Sequence, residues 1–324
     1  MNWSLLHARV HRHLKDTQLL APGQKILVAV SGGQDSLCLG QLLVDLSSRW
    51  QWQLAIAHCN HGWSGDAAIA DHVRKIAQQW HRPFFSREAT TPIKETEAAA
   101  RQWRYQQLTA MALAKKFNSI ATGHTLTDRA ETLLFNLVRG SGLQGLGALT
   151  EQRCLADHVT LTRPLLTVSR TETAAFCQEF NLPIYEDIYN QNLHFSRNRL
   201  RHNVFPELKQ INKKTEQHLA QTAAICQEEN EYLEAIASDK LSQYLNKDQS
   251  LQRLPLRQLH PALQRRILWQ YLALILSKTP TFQQVEESRQ LIQAPNHSQT
   301  SSFFRAIRLA VQNELIIPIA SNLQ

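Results

Sequence analysis

Residues 25–36 read Lys25-Ile26-Leu27-Val28-Ala29-Val30-Ser31-Gly32-Gly33-Gln34-Asp35-Ser36. The apolar, β-branched start predicts a short strand. Beyond Ser36, Leu37, Leu39, Leu42, Leu43 and Leu46 recur at helical spacing. The reading is strand, glycine turn, helix. Gly32 and Gly33 let the backbone turn sharply and come close to a ligand. The unpaired N–H groups of the turn and of the helix start then converge on one point, where phosphate is the natural occupant. The alternative is an ordinary turn with Asp35 or Ser36 as helix cap, but a cap needs one side chain and not the whole loop. No Gly-Lys-Ser or Gly-Lys-Thr follows, so the cradle lacks a Walker A lysine.

The flanking chain alternates strand and helix patterns. Residues 4–19 predict an amphipathic helix, ended by Ala21-Pro22-Gly23. Further strands are expected at 54–58, 84–87, 119–122 and 159–162, with helices at 64–80 (capped by Ser64), 96–117, 127–138 and 169–180. Such alternation indicates an α/β fold, a parallel sheet with helices on both faces. Ligands bind such sheets at the carboxyl ends of strands, near a topological switch point. The chemically distinctive residues fall at three such ends: Ser31–Ser36, His58–His61 and Gly123–His124. The Gly140-Ser141-Gly142-Leu143-Gln144-Gly145 stretch matches GxGxxG but follows a helix, so it reads as a helix end and a loop and not as a dinucleotide site.

The composition changes after residue 194. Residues 194–202 are the most basic stretch, with Arg197, Arg199 and Arg201 alternating with Asn198 and Leu200. From Pro206 a long helical pattern runs to Leu245. Helices at 261–276 and 281–293 follow, then two strand-like runs at 304–311 and 314–319. Two domains are expected, 1–205 around the glycine loop and a mainly helical 206–324 closed by a β-hairpin. The net charge of +8 favours an anionic partner, nucleic acid first. No apolar run approaches membrane-spanning length, and no signal-peptide core opens the chain. Five scattered cysteines without a CxxC pair suit reduced cytosolic thiols and argue against zinc or a cysteine-held iron–sulfur cluster.

The SGGxDS form of Ser31–Ser36 resembles the PP-loop of N-type ATP pyrophosphatases, which cleave ATP between the α and β phosphates and adenylate a substrate. Other segments narrow the resemblance to the tRNA(Ile)-lysidine synthases. His58-Cys59-Asn60-His61-Gly62 is similar to their HxNHG. Glu97-Ala98-Ala99-Ala100-Arg101 with Arg104-Tyr105 is similar to their EAxAR…RY. Gly123-His124…Asp128…Glu131-Thr132 and Arg139-Gly140-Ser141-Gly142 resemble their GHHxDDQxET…RGSG. Arg163-Pro164-Leu165-Leu166 and Arg197-Asn198-Arg199-Leu200-Arg201 match RPLL and RNRxR. Thr125, Thr127 and Arg129 depart from the pattern, standing in place of His, Asp and Gln. The chain ends at residue 324, so the expectation is a short form without the further C-terminal domain of longer members.

The resemblance implies an adenine nucleotide α-hydrolase-like fold, cytoplasmic location and a ligase. Its substrates would be ATP with Mg²⁺, free L-lysine and tRNA(Ile) with the CAU anticodon. Family members commonly form dimers. ATP binding then falls to Ser31, Gly32, Gly33, Gln34, Asp35, Ser36, His58 and His124. Asp35 is the expected Mg²⁺ ligand or base, with a plain helix cap as its bland reading. Arg101 joins Asp35 as catalytic, and Arg104, Arg197, Arg199 and Arg201 would contact tRNA; surface arginines and a solvated basic linker are the alternatives. Asp128 and Glu131, three apart on one helix face, suit a cationic substrate such as lysine, against a solvated helix face. HxxH spacing at His58 and His61 reads as a polar site wall more readily than a metal site, and His124 alone reads more readily as a hydrogen-bonded structural histidine than as a catalyst, although its strand-end position favours the site. Trp269 and Tyr271 are expected in a core. Two rivals stand beside the ligase: a PP-loop tRNA thiolase and a non-catalytic tRNA-binding relative.

Overall fold

β1 (Lys25–Ala29) lies at the centre of a six-stranded sheet. Its side chains alternate between two cores, Ile26 and Val28 entering one and Leu27 the other. β2 (Gln53–Asn60) repeats the pattern, with Leu54 and Ile56 on the first side and Ala55 and Ala57 on the second. Strands buried on both faces must be apolar on both, which is why these runs are nearly continuous and not alternating. The computed structural model describes residues 3–63, 66–91, 93–94, 96–185, 196–303 and 307–320. The expected cap Ser64 and the residues 194–195 and 304–306 lie outside the described residues.

The strand order is β3 (Phe84–Glu88), β2, β1, β4 (Ser119–Thr122), β6 (Val159–Thr162) and β5 (Gln152–Ala156). All pairings are parallel except that of β5 with β6, which is antiparallel. The expected sheet thus gains an antiparallel edge strand. β5 opens on Gln152 and Arg153 and is largely solvent-facing, with only Leu155 and Ala156 packing on the core, so no long apolar run marks it in the sequence. α1 (Leu5–Thr17), α2 (Gln34–Trp50), α3 (Asp66–Gln79) and α7 (Arg170–Glu179) cover one face, where Leu14, Leu42, Val73 and Phe176 share a core. α4 (Glu97–Lys115) covers the other through Leu108, Met111 and Ala112. α5 (Leu126–Val138) follows β4, and a short α6 (Leu143–Leu146) takes up part of the stretch expected as a loop.

After the sheet, α8 (Ser196–Arg199), a π turn (Leu200–Val204) and α9 (Phe205–Ile211) run consecutively. The long helical pattern from Pro206 is interrupted at 212–214, and α10 (Thr215–Tyr244) then begins. The chain divides into two compact units, Met1–Gln227 and Glu228–Gln324. The second unit has its own core. α12 (Pro261–Leu276) supplies Ile267, Leu268, Tyr271 and Leu272, and α13 (Phe282–Gln290) supplies Val285. β8 (Ile307–Gln312) and β9 (Leu315–Ala320) form an antiparallel hairpin that adds Leu309, Val311 and Ile316. β7 (Leu251–Gln252) pairs with β9, and a short α11 (Arg253–Arg257) follows it. Tyr271 is fully buried and donates its hydroxyl to the Gln249 carbonyl at 2.8 Å, and Trp269 packs on the same core. Among the described residues no helix is long and apolar enough to cross a membrane.

The chain leaves β1 for β2 and β3 on one side, then crosses to β4 and β6 on the other. The switch point therefore lies between the carboxyl ends of β1 and β4. There Gly123 presses on the first turn of α2: a Cβ on it would stand 2.8 Å from the Asp35 carbonyl oxygen and 2.9 Å from its carbon. Backbone cannot yield as a flexible side chain can, so Gly123→Ala is expected to cost about 1–3 kcal/mol of stability in urea unfolding. Gly142→Ala, whose Cβ would meet nothing within 4 Å, is expected to leave the unfolding midpoint unchanged.

Candidate active site

The loop after β1 is built to leave its amides open. Gly32 sits at φ +86, a conformation that side chains disfavour, and a Cβ there would also lie 3.1 Å from Ile69. Gly33 is the N-cap of α2 and makes no side-chain cap bond, so the simple capping role for Asp35 or Ser36 is not realised. Ser36 braces the loop instead. Its hydroxyl donates to the Gly33 carbonyl at 2.8 Å and accepts from the Ser31 N–H at 3.1 Å. The α2 N-terminus and its dipole thus face the carboxyl end of β1, which suits an anion.

Above the loop is a cavity of about 310 Å³. Ser31, Gly33, Asp35, Ser36, His58, His61, Arg104, His124, Asp128, Arg170 and Arg201 line it. All three strand ends singled out in the sequence therefore meet. Gln34 does not line it. Its amide is turned to α7, donating to the Arg170 carbonyl and the Thr173 hydroxyl, each at 2.7 Å. Burial pushes the Asp35 carboxyl above the ordinary value, against the pull of Arg170, whose Nε stands 3.3 Å from Oδ2.

Two histidines of the cavity, His61 and His124, are pushed toward the neutral form by burial. His58 donates Nδ1–H to the Val30 carbonyl at 2.8 Å, which fixes its tautomer. Burial, then Arg104 and His58, push His61 down to about 4. His124, with Nδ1 2.9 Å from the Thr122 hydroxyl, is pushed down to about 3 by burial, against the attraction of Asp128. Asp128 is ionised. Burial opposes its charge, but the Thr125 N–H hydrogen bond and the charges of Arg201 and Arg170 outweigh it and hold the carboxyl below its usual value.

α5 carries the carboxylates and shows what the departures from the family pattern do. Thr125 caps the helix and forms a reciprocal capping box with Asp128, whose Oδ2 accepts from the Thr125 N–H at 2.7 Å and hydroxyl at 2.8 Å. Thr127 accepts from the Arg170 N–H and donates to Glu216, both at 3.2 Å. Arg129 is buried and donates to Gln227 at 2.8 Å. Glu131 is fully buried and does not line the cavity. Both its oxygens are taken by Arg201, at 2.6 and 2.8 Å. The expected pair of open carboxylates is thus one open Asp128 and one committed Glu131.

Three arginines in extended alternation would face one way. Here they lie in a helix and its π turn, and they separate. Arg197 reaches back to Glu97 at 3.5 Å and to the Thr132 hydroxyl at 3.2 Å. Arg201 enters the cavity and also meets Asp128 at 3.5 Å. Arg199 is exposed. Arg101 is half-buried beside Arg104 and Tyr105 and is not a cavity-lining residue. Burial would raise the Tyr105 phenol, but Arg163, Arg104 and Arg101 together bring it below its ordinary value.

The sequence reading missed Arg170 and Thr173. A signal was present: Ser169-Arg170-Thr171-Glu172 has the S-x-x-E capping-box pattern, and the structure shows that box, with Glu172 accepting from the Ser169 N–H at 2.8 Å. The box places Arg170 at the first position of a helix that follows a strand end, hence toward the site.

Comparisons with known proteins show the family. A family model described as a PP-loop domain matches residues 6–208. A tRNA(Ile)-lysidine synthase of Nostoc sp. is 45% identical, over 98% of this chain and 97% of that protein. One of Synechocystis sp. is 48% identical over 93% and 94%. A chloroplastic tRNA(Ile)-lysidine synthase of Zygnema circumcarinatum is 35% identical over 87% and 78%. Among solved structures, the U34-tRNA thiolase NcsA from Methanococcus maripaludis with its 4Fe-4S cluster has a TM-score of 0.58. It covers 68% of this chain and 78% of its own at 18% identity, a likeness of fold alone. With its glycine loop, strand-end histidines and α5 carboxylate around one cavity, the chain belongs to the tRNA(Ile)-lysidine synthase family of PP-loop proteins.

Proposed function

We propose that this chain ligates free lysine to C2 of the wobble cytidine of tRNA(Ile) with the CAU anticodon. ATP first adenylates the C2 oxygen and pyrophosphate leaves. The lysine ε-amine then attacks C2 and AMP leaves, giving lysidine and AUA decoding in the cytoplasm. The observation that carries the reading is near-full-length identity to tRNA(Ile)-lysidine synthases, joined to a loop of open amides facing the same cavity as Asp128 and Arg201.

Each residue's part follows from its chemistry. The amides of Gly32–Ser36 hold the departing pyrophosphate. Arg104 and Arg170 add positive charge to the cavity wall where phosphate charge builds. Free lysine is a zwitterion with an additional cation, and it needs groups of both signs. The ionised Asp128 takes an ammonium group, and Arg201, fixed from behind by Glu131, takes the carboxylate. Asp35 serves as a base, which its raised pKa favours, or as a Mg²⁺ ligand. Asp35 and Asp128 line one cavity and feel each other's charge. That donor set fits Mg²⁺, which binds through one or two carboxylates and substrate phosphates. The ion would neutralise phosphate charge during the transfer. The exposed Arg199 and the helical region from residue 206 are the tRNA-contacting parts.

The thiolase reading fares worse on one observation. Cys59 is the cysteine that lines the cavity, and burial pushes its thiol up to about 12, so no thiolate is available there at neutral pH.

Incubation with unmodified tRNA(Ile), ATP, Mg²⁺ and labelled lysine is expected to place label in the wobble nucleoside. Asp35→Ala is expected to abolish that label. Retained tRNA binding with no label from the wild-type protein would favour the non-catalytic relative. Asp128→Ala is expected to raise the lysine KM at least about tenfold, the scale of one charge-assisted contact, with the ATP KM changed far less. Arg201→Ala would strand the buried Glu131 and is expected to cost on the order of 3 kcal/mol in denaturant unfolding. Arg199→Ala, by contrast, is expected to weaken tRNA binding, most visibly at low salt, and to flatten its salt dependence without moving the unfolding midpoint.

A further inference from the structure

One buried hydroxyl joins α7 to the phosphate loop. Thr173 is fully buried. Its Oγ1 lies 2.5 Å from Asp35 Oδ1, 2.7 Å from Gln34 Nε2 and 3.0 Å from the Arg170 carbonyl. A hydroxyl has a single proton to give, and two of these neighbours are acceptors. Gln34 decides between them. Its two amide protons go to the Arg170 carbonyl and to Thr173 Oγ1, each at 2.7 Å. Nε2 also lies 3.3 Å from Asp35 Oδ1, and with the hydroxyl accepting from the amide, the Thr173 proton goes to the nearer, charged acceptor, Asp35 at 2.5 Å, over the carbonyl at 3.0 Å. Arg170 Nε meets the other carboxylate oxygen at 3.3 Å. The first turn of α7 thus grips both oxygens of Asp35.

We propose that Thr173 is a positioning residue for Asp35, and that Gln34 acts as the lock that orients its hydrogen bond. Gln34 therefore works between the loop and α7 and not on the nucleotide. The inference deepens the ligase reading and rests on it for the importance of Asp35. A carboxylate that must meet a reacting group or an ion within a fraction of an ångström has to be fixed by neighbours that are themselves fixed. Thr173 meets that requirement, because it is fully buried and its shortest contact is the one to Asp35.

Thr173→Val keeps the shape and removes the proton; Thr173→Ser keeps the proton. In the lysine-incorporation assay, Val is expected to lower kcat roughly tenfold or more, with the KM values for ATP and lysine within about twofold, and Ser to restore kcat to within about threefold. Wild-type kcat in Val, equal losses in Val and Ser, or a raised ATP KM at unchanged kcat would each overturn the proposal. A crystal structure of Thr173→Val reads the same question without activity. An Asp35 carboxylate rotated away from its wild-type orientation supports the proposal, and an unmoved one overturns it. That second readout holds whatever the assay gives, whereas wild-type protein that incorporates no lysine counts against the ligase reading alone.

Discussion

The close approach of two backbones at Gly123 is the constraint on which the site depends. β1 and β4 are neighbours in the sheet, and their chains diverge at the carboxyl end. A cleft forms there in any such sheet. What makes this cleft narrow enough to gather its residues is the absence of a side chain at Gly123, which lets the end of β4 rest against the carbonyl of Asp35. His124 and the N-terminus of α5 are thereby brought to the loop after β1. Catalytic groups drawn from different strand ends then need no long flexible reach, and their positions inherit the rigidity of the sheet.

Much of this was legible in the sequence because it is governed by local rules. A β-branched run followed by Ser31-Gly32-Gly33 has few conformations open to it, and the strand-end positions of His58 and His124 follow from element order. The edge strand β5 was hidden because its apolar residues are few, none of them fully buried, and its pairing partner sets its shape. The arginines of 197–201 alternate in the sequence, and alternation implies a common face only in an extended chain. Helix formation sends Arg199 outward and Arg201 inward. The commitment of Glu131 to Arg201 could not be read at all: it joins residues seventy positions apart, and spacing within α5 says nothing of it.

The departures from the family pattern are absorbed by the fold. Thr125 supplies the helix cap, Thr127 links α7 to α10, and Arg129 finds a partner on α10. Each has a structural post, and none leaves the cavity without its ionised carboxylate. The resemblance that these positions weaken in sequence is therefore retained where charge is concerned.

Three histidines border the cavity, and two of them have pKa values near 4 and 3. These two rings are neutral near pH 7. Burial thus takes them out of the charge balance of the pocket. What acid sensitivity the pocket has rests with its carboxylates: Asp35, which burial raises, takes up a proton before Asp128 does as the pH falls.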